Sequence, residues 1–250
     1  MRLHLIALFE FAVVFALPTT LVKLELYGEA GSPEFEELVN GPLKEVLSAD
    51  GMFSGSPPAL IYDFIPFGDA YYNTTQCGGK TYAKDNMFCW VEQCGGKSPP
   101  AECFAGKPVC QHGPAECLAN LYEACAKYVY PDPTMYGPFV TCLEGDKKAD
   151  AEWWGPCARH WGLDDVKISA CAANDTLANQ VTMENAKKTL LLGSTKPGTP
   201  WVLLNGEAVP EGQLDGLLEM VCERINPNPS KRPKGCQPGA IEAVKRARAE

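Results

Sequence analysis

The chain has 250 residues, with 31 acidic and 22 basic side chains for a net charge of −9, and 46% hydrophobic against 21% charged residues; this balance excludes disorder, collagen and coiled coil. The acidic surplus argues against a surface that neutralises phosphate backbones, so nucleic acid is not an expected partner. Twelve cysteines exceed what a reduced cytosolic chain carries, no two of them make a C-x-x-C pair, and a disulfide framework is expected.

Residues 1–16 read as a signal peptide: Arg2 supplies a minimal positive start, Leu5 to Leu17 is mostly apolar, and Val14-Phe15-Ala16 offers small residues for cleavage after Ala16. The run is shorter than the ~20 apolar residues of a membrane span and Glu10 interrupts it. No later segment is apolar enough to span, so the mature chain is expected to be soluble. Asn73-Thr74-Thr75 and Asn174-Asp175-Thr176 are glycosylation sequons that fit a secretory route.

Leu21 to Tyr27 alternates as a strand, Gly31-Ser32-Pro33 punctuates it, and Phe35, Leu38, Val39 and Leu43 follow at helical spacing. Ser32 is the expected N-cap and Pro33 the first helical residue, with Glu34, Glu36 and Glu37 complementing the helix dipole. Gly41-Pro42 should kink or split that helix. Ala59 to Phe67 reads as a second, buried strand, parallel to the first in a βαβ unit.

From Gly68 to Val109 the periodicity disappears, and Cys77, Cys89, Cys94 and Cys103 accompany a duplicated Q-C-G-G-K at 76–80 and 93–97. With no histidine and no close cysteine pair, structural bridges are preferred over metal knuckles, and the segment reads as a disulfide-tied arm. Pro114 to Val129 predicts a helix with Cys117, Leu121, Cys125 and Tyr128 on one face. Cys117 and Cys125 would lie about 12 Å apart along it at ~1.5 Å per residue, so they need other partners. Shorter helical pieces follow through Cys171, and the aromatic residues around His160 (Trp153, Trp154, Trp161) are expected to pack together.

A helix capped by Asn174 or Asp175 should run to Leu192, with Gly193 past its end. Thr199-Pro200 leads into Trp201 to Leu204, an Asn205-Gly206 turn and Glu207 to Val209, which is a β-hairpin pattern, and Leu214 to Arg224 forms a last helix. The order βαβ, insertion, α, Pro, ββα is that of an α/β, thioredoxin-like fold with a helical insertion. The domain is placed at 17–225, with the cysteine-rich arm at 71–107, the insertion at 110–172, and a proline-rich then basic tail at 226–250.

The most specific stretch is Cys110 to Cys125, C-Q-H-G-P-A-E-C-L-A-N-L-Y-E-A-C. It resembles the signature C-Q-H-G-x2-E-C-x2-N-x4-C of the gamma-interferon-inducible lysosomal thiol reductase family, with Cys110, Gln111, His112, Gly113, Glu116, Cys117, Asn120 and Cys125 at its fixed positions. Tyr27-Gly28-Glu29-Ala30 is similar to the family's Y-x-E-A, Ile65 to Ala70 to its V-P-Y-G-N-A, and Pro200-Trp201-Val202 to Asn205-Gly206 to its P-W-V-x-x-N-G. The resemblance implies a glycosylated, disulfide-bonded protein of lysosomes or the extracellular space, in a family whose enzymes reduce protein disulfides.

Where those enzymes carry C-P-x-C, this chain has Ser32-Pro33-Glu34-Phe35. The reaction needs a thiolate to attack the substrate disulfide and a second thiol to resolve the mixed disulfide; a serine hydroxyl and a phenyl ring do neither. The expectation is a non-catalytic member that binds a polypeptide beside Thr199 and Pro200, the position at which the superfamily pairs backbone groups with bound peptide. One alternative keeps thiol-disulfide activity through other cysteines, such as Cys110 beside His112 or a labile bridge in the arm. Another is a secreted interaction protein that binds through the arm. No cofactor and no metal site is expected, and the sequence leaves the partner and the disulfide connectivity open.

Overall fold

In a computed structural model of the chain, residues 21–79, 81–96, 98–145, 153–193 and 198–249 are described; the segment read as a signal peptide lies outside them. Elements are numbered in chain order. Strand β1 (Val22–Gly28) buries Val22, Leu24 and Leu26 and runs parallel to β2 (Leu60–Pro66), in register from Val22↔Leu60 to Gly28↔Pro66. Between them lie α1 (Pro33–Leu38), a π-helical turn at Val39–Leu43 and α2 (Lys44–Ser48). The π turn falls on the Gly41-Pro42 break: proline has no N–H and its ring crowds the preceding turn, so the ladder widens there while the chain stays helical.

The arm departs from its expected irregularity. It holds α3 (Lys84–Cys94), and a short ladder pairs β3 (Tyr71–Tyr72) with β4 (Pro108–Val109). Met87, Trp90 and Cys94 recur at helical spacing on the buried side of α3, but the glycines of the duplicated Q-C-G-G-K flank the helix and hide so short a period. Bridges Cys77–Cys89 and Cys94–Cys103 tie α3 at its middle and at its C-terminal end. Trp90 donates its Nε1–H to the Cys103 carbonyl at 2.9 Å and packs against Phe67, Tyr72 and Phe104, so the arm shares a small aromatic core with the rest of the domain.

The insertion supplies α4 (Pro114–Val129), α5 (Pro133–Gly145), α6 (Trp154–His160) and α7 (Asp165–Ala173), followed by α8 (Asp175–Leu190). Cys125–Cys171 and Cys142–Cys157 fasten these helices to one another. Asn174 caps α8 by accepting from the Leu177 N–H at 3.2 Å. Asp63 on β2 meets Lys127 of α4 and Lys188 of α8. Burial would raise the Asp63 carboxyl, but the two ammonium groups outweigh it and hold the group ionised below its ordinary value. The expected tryptophan cluster is corrected: Trp153 and Trp161 are exposed, Trp154 stacks on Tyr122 at 4.2 Å, and His160 meets Trp161 edge-on. Helix α6 buries Gly155, Cys157 and Ala158, which leaves the rings flanking it no common core to share.

Strand β5 (Trp201–Leu204) pairs antiparallel with β1, and β6 (Glu207–Ala208) with β5, giving the sheet order β2-β1-β5-β6. Asn205 (φ 55°) and Gly206 (φ 82°) make the two left-handed positions that this hairpin turn requires. A 3₁₀ segment at Glu211–Gly216 precedes α9 (Leu217–Ile225).

The stretch read as a tail folds back on the domain. Cys222–Cys236 anchors it, α10 (Pro238–Ala249) follows, Ile241 is buried, and Arg248 pairs with Glu45 of α2 and donates to the Asp215 carbonyl at 2.7 Å. Ile241→Ala is expected to lower the unfolding free energy by about 2 kcal/mol, measurable as a reduced denaturant midpoint; an unchanged midpoint would mean that α10 is not part of the cooperative fold.

Candidate functional site

Four sequence segments far apart in the chain meet where β1 and β2 end. The loop at Glu29 to Ser32 leaves β1, Gly68 and Asp69 follow β2, the signature segment enters α4, and Thr199-Pro200, joined by a cis peptide bond, leads into β5. They enclose a cavity of about 230 Å³ into which Glu29, Ser32, Glu34, Asp69, His112 and Thr199 project.

Ser32 is almost fully buried at the head of α1. Its Oγ accepts from the Phe35 N–H at 3.3 Å and donates to Glu34 Oε2 at 3.1 Å, an N-cap that uses the hydroxyl structurally. Phe35 has no exposed surface and stacks on Phe64 with ring centroids 5.4 Å apart. A Cβ at Gly28 would come within 2.4 Å of that ring, so the sequence Tyr27-Gly28-Glu29-Ala30 needs glycine where β1 passes Phe35. Position 35 is thus a core position.

The signature residues brace the loop. Glu116 Oε2 accepts from the His112 N–H at 2.6 Å and lies 3.2 Å from His112 Nδ1; Asn120 Oδ1 accepts from the Ala30 N–H at 2.9 Å, and its Nδ2 donates to Glu116 Oε1 at 3.4 Å. Glu29 Oε2 accepts from the Asp69 N–H at 2.8 Å, and Gly68, at φ 59°, has no room for a side chain beside that carboxylate. Burial, then the negative charge of Glu29, pushes the Glu116 carboxyl up to about 8, against the lowering effect of its bonds from His112 and Asn120. Cys110 and Cys117 are bridged to each other, Cys125 to Cys171, Gln111 is exposed, and Gly113 turns the chain into α4 at φ 94°.

All twelve cysteines stand in six bridges, so the cavity contains no thiol. A second cavity of about 670 Å³ adjoins it through the shared residues Tyr82 and Gln111; Val109, Leu118, Leu121 and the Cys110–Cys117 bridge wall it. Tyr82 and Lys84 belong to the arm, which therefore forms part of the site's wall. Both sequon asparagines, Asn73 and Asn174, are exposed. Among the described residues no cluster of three or more His, Cys, Asp or Glu side chains is arranged to hold a metal ion, and no helix is long and apolar enough to cross a membrane.

Glu123, one turn beyond Asn120, and Glu144 of α5 were not singled out from the sequence. The buried face of α4 runs through Glu116, Asn120, Glu123 and Ala124 together with Cys125, whereas Tyr128, read on one face with Cys125, is exposed. Glu116, Asn120 and Glu123 at i, i+4 and i+7 form a polar stripe of helical period, a signal the apolar pattern overrode.

The family description "Gamma interferon inducible lysosomal thiol reductase (GILT)" matches residues 96–161 of this chain. A gamma-interferon-responsive lysosomal thiol protein of Arabidopsis thaliana is 32% identical over 133 residues, 52% of this chain and 54% of that protein. Gamma-interferon-inducible lysosomal thiol reductases of Carassius auratus and Mus musculus are 27% identical over 138 residues and 30% over 117, covering 52% and 46% of this chain and 51% and 45% of their own lengths. The chain thus spans about half the length of the curated relatives it matches.

Proposed function

We propose that the chain is a non-catalytic member of the gamma-interferon-inducible lysosomal thiol reductase family, to which its similarities point, and that it binds polypeptide at the Thr199-Pro200 edge of its site. One observation carries the proposal: the two positions of the family's C-P-x-C are a capping serine and a core phenylalanine, and every cysteine is already bridged. Without a thiolate there is no attack on a substrate disulfide, and without a second thiol no release. The sheet order β2-β1-β5-β6, with a helix between parallel β1 and β2, supports the thioredoxin-like reading of the fold. Six disulfides and two exposed sequons support a secretory route to lysosomes or the extracellular space, with Asn73 and Asn174 glycosylated.

The alternative in which His112 activates Cys110 gains nothing from the geometry, since that cysteine is bridged to Cys117 and the imidazole Nδ1 faces Glu116. Reduction of a denatured disulfide substrate from pH 4.5 to 7 should proceed no faster with the protein than with the small-thiol donor alone. Catalysed turnover would overturn the non-catalytic reading. For binding, Thr199→Trp fills part of the smaller cavity and is expected to weaken the capture of a reduced, alkylated polypeptide by about tenfold or more. If Phe88→Ser, on the exposed side of α3, abolishes capture while Thr199→Trp leaves it unchanged, the arm surface is the binding element instead.

A further inference from the structure

Beneath the Glu29 to Ser32 loop, two carboxyl groups from different helices are shut into the core. Glu123 of α4 has no exposed surface and Glu144 of α5 has 1%. Glu144 Oε2 accepts from the Gly31 N–H at 3.0 Å, the residue immediately before the α1 cap. With both groups ionised, Glu123 Oε1 and Oε2 and Glu144 Oε1 would have no donor at all. Two bare carboxylates in one apolar site are not sustainable, because each loses its hydration and each repels the other. A single proton held between them removes one charge and supplies the missing hydrogen bond, in which a protonated Glu123 donates to Glu144.

We propose that this shared proton is a latch: while it is held, Glu144 stays on the Gly31 amide and fixes the loop that opens α1, and when it is lost the loop is released. The surroundings offer no substitute for it. Glu36 of α1 adds negative charge toward Glu144; from β2, the buried Tyr62 hydroxyl has no partner and Asp63 is committed to Lys127 and Lys188; Tyr136 of α5 gives its hydroxyl hydrogen to the Tyr62 carbonyl. Burial foremost, with the facing carboxylate, holds the Glu123 proton far above the usual carboxylate range, and burial raises Glu144 as well.

The sign follows from where the proton goes. In the closed state the pair keeps a proton that the solvated, open pair releases above the ordinary glutamate range near 4.3. Opening therefore becomes easier as pH rises, by up to about tenfold per pH unit, until the closed pair itself ionises. As regulation of polypeptide binding, the latch rests on the function proposed above; as a property of the loop it does not, and its test uses the protein without any ligand.

Amide hydrogen exchange at Gly31, corrected for the intrinsic base-catalysed rate, is measured from pH 5 to 8 in the natural protein and in Glu123→Gln. The natural protein should lose protection by about tenfold or more across that range. In Glu123→Gln the side-chain amide donates to Glu144 at every pH, so protection at Gly31 should be flat. Should that variant not fold, Glu144→Gln serves, since its oxygen still accepts from Gly31 and its amide donates to Glu123. Glu116→Gln is the control, expected to leave the Gly31 dependence intact. Flat protection in the natural protein, an unaltered slope in the amide variants, or the absence at pH 6 of a protonated-carboxyl infrared band that Glu144→Gln removes would each overturn the latch.

Discussion

Phe35→Ala is expected to lower the unfolding free energy by about 3–5 kcal/mol, the range for deleting a fully buried phenyl ring, and to be among the most destabilising substitutions in the chain. The ring stacks on Phe64, touches the backbone of β1 at Gly28, and belongs to the cluster in which α1 meets the sheet. Partial collapse into the space is hindered because Gly28 has no side chain to move. Chemical denaturation reads the effect directly; a loss below about 1 kcal/mol would mean that Phe35 is not a packing residue. Restoring cysteines at positions 32 and 35 meets the same packing cost. Ser32→Cys exchanges one small cap for another, but adding Phe35→Cys removes most of a core side chain, so the double variant should lose a few kcal/mol before any redox gain is measured. Its reductase activity is to be judged at a temperature where it remains folded.

Stability should fall as pH rises from about 5 to 8, by up to about 1.4 kcal/mol per pH unit for each carboxyl that stays protonated only in the folded state. Glu116 is such a group. Its folded value is pushed up to about 8 by burial and then by Glu29, while the unfolded chain releases the proton near the ordinary glutamate value. Between those two values the folded state binds more protons than the unfolded one, so each step toward alkaline pH favours unfolding. The contribution is complete below about 4.5 and gone above about 8. Glu116→Gln should flatten that part of the profile while keeping the acceptor for the His112 amide. Thermal midpoints in a pH series decide the matter: a midpoint that rises from pH 5 to 8 would contradict the assignment of a proton to Glu116.

The two predictions concern the helix α1 and the segment that braces the loop before it, and they give the signature segment a physical meaning. Its Glu116 and Asn120 act here through hydrogen bonds. They hold the backbone at Ala30 and His112, so that the head of α1 faces Thr199. In this chain that scaffold stands beside a serine at position 32. The frame rests on hydrogen bonds from the Ala30 and His112 amides that do not involve the side chains at 32 and 35.

Much of this was legible in the sequence by itself. The parallel β1–β2 pair, α4 from Pro114 to Val129, the Asn174 cap and the Asn205-Gly206 hairpin all follow from local signals: alternation, capping chemistry, and a turn that needs two left-handed residues. That residues 32 and 35 are serine and phenylalanine is a matter of residue identity alone. The tertiary structure decided what depends on partners distant in the chain. It placed α3 inside the arm, because Trp90 finds its core in Phe67, Tyr72 and Phe104. It folded residues beyond 226 back through Cys222–Cys236 and Arg248. It also turned Glu123 and Glu144, ordinary charged residues in a sequence, into a buried pair facing the Gly31 loop, because a carboxyl's proton affinity is set by the water it has lost and the charge it faces.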